Sequence, residues 1–152
     1  MNPFKRLLFG SGRLPKMVRD QVAGEDVLLL EEGLSGTITF RKYKAPGKRA
    51  RLKKVGVAGA VCVTDKRLLV WGARGKLVDI PFDDERFGSI EIEAEEPDKV
   101  LFAWEASLFH DNRSGRVEVR LHPVQAEHLI ELVRRRDANA PAASPNEKPE
   151  SR

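Results

Sequence analysis

Apolar residues recur at every second position through most of the chain, and at every third or fourth only near its two ends. Ile38 and Phe40 share one face of an extended segment. Val55, Val57, Val61 and Val63 share another, with Ala58, Ala60 and Cys62 on the opposite face, so this segment is apolar on both sides. Such a strand belongs deep inside a sheet. The same alternation runs through Val78, Ile80 and Phe82; through Ile90, Ile92 and Ala94; through Val100, Phe102 and Trp104; and through Val117, Val119 and Leu121, where Glu118 and Arg120 face the other way. Turn-forming clusters separate the runs: "TDK" at 64–66 before "RLLVWG", "ARG" at 73–75, "PFDDERFG" at 81–88, "EEPD" at 95–98 and "HDNRSG" at 110–115. The pattern predicts an antiparallel meander of about seven strands.

At both ends the period lengthens. Leu14, Met17, Val18 and Val22 fall near one helical face and Gly24 follows as a stop, which predicts a short N-terminal helix. After the last strand, "HPVQAEHLIELVRRR" places Ala126, Leu129, Ile130 and Val133 on one stripe, with Pro123 where a first helical position tolerates it. A strongly bent sheet with an open end needs an apolar element to close it, and this helix supplies one. The expected fold class is all-β with a C-terminal α-helix, a barrel of about seven antiparallel strands plus the short N-terminal helix. Residues 1–24 are expected as an arm and helix, 25–136 as the domain and 137–152 as a disordered tail. That tail has three Pro, four Ala and mostly polar residues otherwise, too little apolar surface to offset its ordering entropy.

A length of 152 residues fits one domain, and 41% hydrophobic with 33% charged residues excludes disorder throughout. The single Cys62 can form no internal disulfide, so nothing requires an oxidising compartment. "MNPFKRLLFG" lacks the apolar run and cleavage site of a signal peptide, and "VGVAGAVCV" is about half of what a bilayer span needs. The expected location is cytoplasmic, with peripheral attachment at the inner face of the membrane if the ligand is lipid.

"AVCVTDKRLLVWG", followed by "LVDIPFDD", alternating strands and a closing helix, resembles the bacterial pleckstrin-homology-like and GRAM-like domains. In that family a strand ending in Thr-Asp or Thr-Asn passes through a tight turn into Arg-Leu and a short apolar strand. The resemblance covers about residues 25–136 and implies a pleckstrin-homology-like barrel. Lipid-signalling members carry a Trp in the closing helix, whereas Trp71 and Trp104 both fall on predicted strands, which sets this chain apart from that subfamily. It also implies that the first loop contacts inositol phosphates or anionic headgroups. If 27–40 is one strand, that loop is residues 41–54; if "DVLLL" and "TITF" are separate strands, 41–54 is the next loop.

Charge makes this segment conspicuous. "RKYKAPGKRARLKK" contains Arg41, Lys42, Lys44, Lys48, Arg49, Arg51, Lys53 and Lys54, and no acid. Taking these eight from the 27 basic residues leaves 19 against 23 acidic ones, so one segment sets the sign of the protein. These eight are the candidate anion-binding residues, with Pro46 and Gly47 at the tip. The plainer reading is a solvated hairpin whose charges only prevent edge pairing. Nucleic acid is disfavoured, because Tyr43 is the lone aromatic within the cluster and single-strand binders interleave several rings. "GSG" at 10–12 lacks the Lys and preceding strand of a phosphate loop.

No catalytic constellation emerges. His110, Asp111 and Asn112 read as a turn, and Cys62 reads as an inert core thiol. His122 and His128 are six apart, outside the three or four that align two ligands on a helix, so no metal or cofactor is expected. Arg134, Arg135 and Arg136 complement a helix C-terminus. Phe4, Leu7, Leu8 and Phe9 beside Lys5 and Arg6 are expected as an arm that packs on its own domain or stays disordered, with dipping into a headgroup layer the alternative. The expectation is therefore a non-enzymatic module for acidic lipid headgroups or phosphorylated groups. The alternative is a protein-interaction adaptor using a sheet edge or a helix groove.

Overall fold

The computed structural model describes residues 12–72 and 75–139, with side chains to 136. Seven strands follow a short helix α1 (Lys16–Ala23): β1 (Val27–Ala45), β2 (Lys48–Thr64), β3 (Arg67–Gly72), β4 (Gly75–Pro81), β5 (Glu91–Glu96), β6 (Lys99–Glu105) and β7 (Ser114–Leu121). A closing helix, α2, spans Ala126–Asn139. All pairings are antiparallel and the strand order is β4-β3-β2-β1-β7-β6-β5. The protein is thus all-β with a C-terminal helix and a short N-terminal helix, as expected. The expected barrel is corrected: β4 and β5 are the two edges, and the sheet is not closed by hydrogen bonds.

The sheet still surrounds one core. Ile38 of β1, Val61 of β2, Val70 of β3, Ile80 of β4, Phe102 of β6 and Val119 of β7 belong to a single buried cluster, joined by Leu129 and Val133 of α2. Strands from both ends of the order can meet in one cluster only if the sheet curves around it. The apolar stripe of α2 contains the four expected residues and also Leu132. β2 lies third from one edge, and every residue from Val57 to Thr64 is buried. Its second face is covered by α1, where Leu14 and Val22 pack with Ala60, Cys62 and Leu69. Met17 is 73% exposed, against expectation, because the buried stripe of α1 follows Leu14, Val18 and Val22. Ala94 is exposed too, since β5 is an edge strand with only Ile92 half-buried.

Two acids in β1 fasten the segments leading into the two helices to the sheet. Leu14 N–H donates to Glu32 at 2.8 Å and Arg19 pairs with the same carboxylate. Glu31 accepts from the amides of Val124 at 2.7 Å and Gln125 at 2.8 Å, which supplies acceptors just ahead of α2. The helix consequently starts at Ala126 rather than at Pro123. It runs to Asn139, three residues into the segment expected as tail; the remainder, 140–152, and the arm 1–11 lie outside the described residues.

The tight turn at 64–66 is held by Thr64, whose hydroxyl accepts from the amides of Lys66 and Arg67, both at 3.0 Å, and donates to Glu25 at 2.6 Å. Asp65 instead accepts from the amide of Asp26 at 3.1 Å. Arg67 joins Glu25 to Asp79, and its hydrogen bonds hold the Glu25 carboxyl below the usual carboxylate range.

Trp104 is 6% exposed and meets Phe109 edge-on, with ring centroids 6.1 Å apart. Trp104→Ala is expected to cost ~3–5 kcal/mol through the cavity it leaves. Urea denaturation checks this, and an unchanged midpoint would contradict the core assignment.

Candidate functional site

The strand β1 is continuous through "EEGLSG", with a register shift between Glu31 and Leu34, so residues 41–54 form the first connection of the sheet. They are not an open loop. Tyr43 pairs with Ala50, Lys44 with Arg49 and Ala45 with Lys48, which leaves only Pro46 and Gly47 as a two-residue turn. The ring of Pro46 fixes its φ, and Gly47 takes a φ of 72°, the pair that a type II turn requires. The eight candidate cations therefore sit on the two arms of a ladder-paired ribbon.

One irregularity aims this ribbon. Lys42 has a φ of 50°, and the β1–β7 register slips between Arg41 and Lys44. Strict alternation would put Phe40 and Tyr43 on opposite faces; instead their rings pack with centroids 4.9 Å apart. Gly115 allows the slip, since a Cβ there would lie 2.4 Å from the Lys42 carbonyl oxygen and its own φ is 99°.

The cations divide into two groups. Arg41 is paired with Glu118 at 3.1 Å, and so belongs to the sheet. Glu118 also accepts from Arg116 at 2.7 Å and Arg120 at 3.0 Å, and those two arginines reach on to Glu91 and Glu95 of β5. Burial would raise the Glu118 pKa, but hydrogen bonds from Arg116, Arg120 and Arg41 outweigh it and hold the group at about 2. The other seven, Lys42, Lys44, Lys48, Arg49, Arg51, Lys53 and Lys54, are exposed and make no ion pair with a described acid.

Two depressions of about 390 Å³ each flank the Tyr43–Ala50 rung. Lys48, Arg49 and Lys53 stand around one, and Lys42, Lys44 and Arg51 around the other. Leu52, 62% exposed, adds an apolar contact to the ribbon. An anion reaching it meets several exposed ammonium and guanidinium groups and no described carboxylate among the lining residues.

Other singled-out residues are dispersed. His110 and Arg113 close a turn through an amide-to-carbonyl bond of 3.1 Å, and Cys62 is wholly buried, with burial pushing its thiol up to about 11. His122 lies 4.0 Å from Asp98 and His128 4.0 Å from Glu131, both near the surface. Among the described residues no group of three or more His, Cys, Asp or Glu could hold a metal ion. No described helix is long and apolar enough to cross a membrane. Sequence reasoning missed the role of Glu118 and the packing of Phe40 against Tyr43; the alternation of charge at 116, 118 and 120 was the available signal for the first.

Two outcomes follow for this region. Glu118 is held near 2 against an ordinary 4.5, so its contribution is complete above about pH 4.5 and is lost as pH falls towards 2. Glu118→Gln should be less stable than the parent at pH 7, by up to ~3 kcal/mol, and the difference should shrink through that window in urea melts; parallel curves would contradict it. Gly115→Ala should cost at least ~1 kcal/mol and speed amide exchange across 41–53, because it forces the slip to open.

No protein-family model matches the chain and no curated protein matches it, so the residues described above carry the functional reading.

Proposed function

We propose that this chain is a non-enzymatic binding module of pleckstrin-homology-like, GRAM-like type whose β1–β2 hairpin recognises anionic ligands, either acidic lipid headgroups or phosphorylated groups. The observation that carries the reading is the set of seven exposed cations on a hydrogen-bonded ribbon that make no ion pair with a described acid. Edge protection accounts for only part of that set. β2 pairs with β3 solely from Gly59 to Val63, so the cations at 48, 49, 51, 53 and 54 guard an open edge. Lys42 and Lys44 guard none, because β1 has β2 on one side and β7 on the other through Lys44. Each cation near an anionic surface contributes ~1 kcal/mol, screened within about 8 Å at physiological salt.

A second reading has its own observation. The edge strand β5 and α2 border a groove of about 950 Å³ lined by Glu93, Ala94, Ile130, Glu131 and Arg134, a place where an extended partner segment could add to the sheet. In that case the ribbon serves to steer the partner.

The test is sedimentation with phosphatidylserine-containing vesicles at low and high salt, beside titration with soluble pyrophosphate. The parent should bind at low salt and release as salt rises. Lys48→Ala, Arg49→Ala and Arg51→Ala together should weaken binding by up to ~3 kcal/mol at low salt, with stability changed within about 0.5 kcal/mol per site. Binding of pyrophosphate without vesicles assigns the ligand to phosphorylated groups. A parent that binds neither, even at low salt, supports the β5–α2 groove instead.

A further inference from the structure

At the base of the hairpin, next to the cationic depression, lies a semi-enclosed cavity of about 100 Å³. The rings of Phe40, Tyr43, Trp104 and Phe109 line it together with Leu77. They come from β1, β6, the turn after β6 and β4, so no single stretch of sequence announces the site. Its basic lining residues are Lys76, His110 and Arg113, and no described acid lines it. Lys76 is shared with Asp79 at 3.2 Å, whereas exposed Arg113 makes no ion pair with a described acid.

Phe40 and Tyr43 also line the depression where Lys48, Arg49 and Lys53 stand. The packed ring pair is therefore a wall common to a ring-lined hole and a cationic groove. A purely polar headgroup would leave the hole unused, and pushing polar atoms into it would cost their hydration. A neutral alkyl chain would leave the cations unused. A ligand with an apolar end and one anionic end satisfies both. On size, a cavity of ~150 Å³ admits a benzene molecule, so this one admits a chain end of roughly four carbons, with the rest of the chain lying across Phe40, Tyr43 and Ala50.

We propose that cavity and groove together bind a single-chain anionic amphiphile of the fatty-acid class, its chain end among the four rings and its carboxylate at Lys48, Arg49 and Lys53. This deepens the hairpin reading above and rests on it.

Trp104 reports on the cavity directly, and Trp71 packs elsewhere, with Leu69 and Cys62 beneath α1. In a Trp71→Phe background, 10-bromodecanoate below its micellar concentration should quench Trp104 saturably, and 10-bromodecanol should bind at least tenfold more weakly. Leu77→Phe, and Ala106→Val from another wall, should each reduce quenching at least tenfold by filling the cavity. Thermal melts show whether each variant is folded. The Lys48, Arg49 and Arg51 triple alanine variant should weaken bromodecanoate as well. Equal affinity for acid and alcohol, or quenching untouched by both filling variants in folded protein, overturns the proposal. Absent quenching with vesicle binding retained overturns it alone and leaves the hairpin reading in place, whereas absence of both overturns both.

Discussion

Paired along both of its edges, to β2 from Val27 to Ala45 and to β7 from Gly36 to Lys44, β1 is the seam between two half-sheets that share no other ladder. Its length follows from sequence: residues 27–45 contain no Pro, and the slip at Glu31–Leu34 absorbs "EEGLSG" without ending the strand. Both ends of the described chain are tied to this seam, α1 through Glu32 and the start of α2 through Glu31. The hairpin is its far end. A ribbon that grows out of the most heavily paired strand has a rigid root, and rigidity lowers the ordering cost of any ligand it meets.

Ion pairing separates the charges that belong to the sheet from those left exposed on the ribbon. On the outer face, Glu118 gathers Arg41, Arg116 and Arg120, while Arg116 and Arg120 are completed by Glu91 and Glu95. Leu101 and Ala103, set opposite Arg120 and Glu118 in the ladder, are buried beneath this lattice. Residues 83–98 contain eight acids and one base, close to a mirror image of 41–54. The two segments nevertheless do not neutralise each other. Several acids of the first are consumed by Arg86, Lys99, Arg116 and Arg120, and of the second only Arg41 finds a described acid.

Strand positions were legible because alternation records burial directly, most plainly in β2, where both faces are apolar and both are covered. The exposure of Met17 and Ala94 was not, since periodicity shows which residues share a face but not how far a neighbouring element reaches across it. Edge closure was equally hidden: whether β4 meets β5 depends on accumulated twist and not on either strand's composition. At the candidate site, the density of cations was visible and their pairing was not. Arg41 reads like its neighbours, and only its ion pair with Glu118 on the adjacent strand sets it apart from the seven exposed cations. The ring-lined cavity had no signal at all, being assembled from segments as far apart as Phe40 and Phe109.

The attachment of Glu31 to the amides ahead of α2 also constrains how the molecule comes into being. It joins positions 93 and 94 residues apart, so the acceptors wait on the seam while nearly the whole domain is synthesised. Closing so long a loop is favourable only once the intervening strands have already drawn the ends together. On the ribosome, the apolar face that α2 covers stays open until residues 126–139 have emerged. Docking of the closing helix is thus the step that takes this face out of solvent and ends its exposure to aggregation.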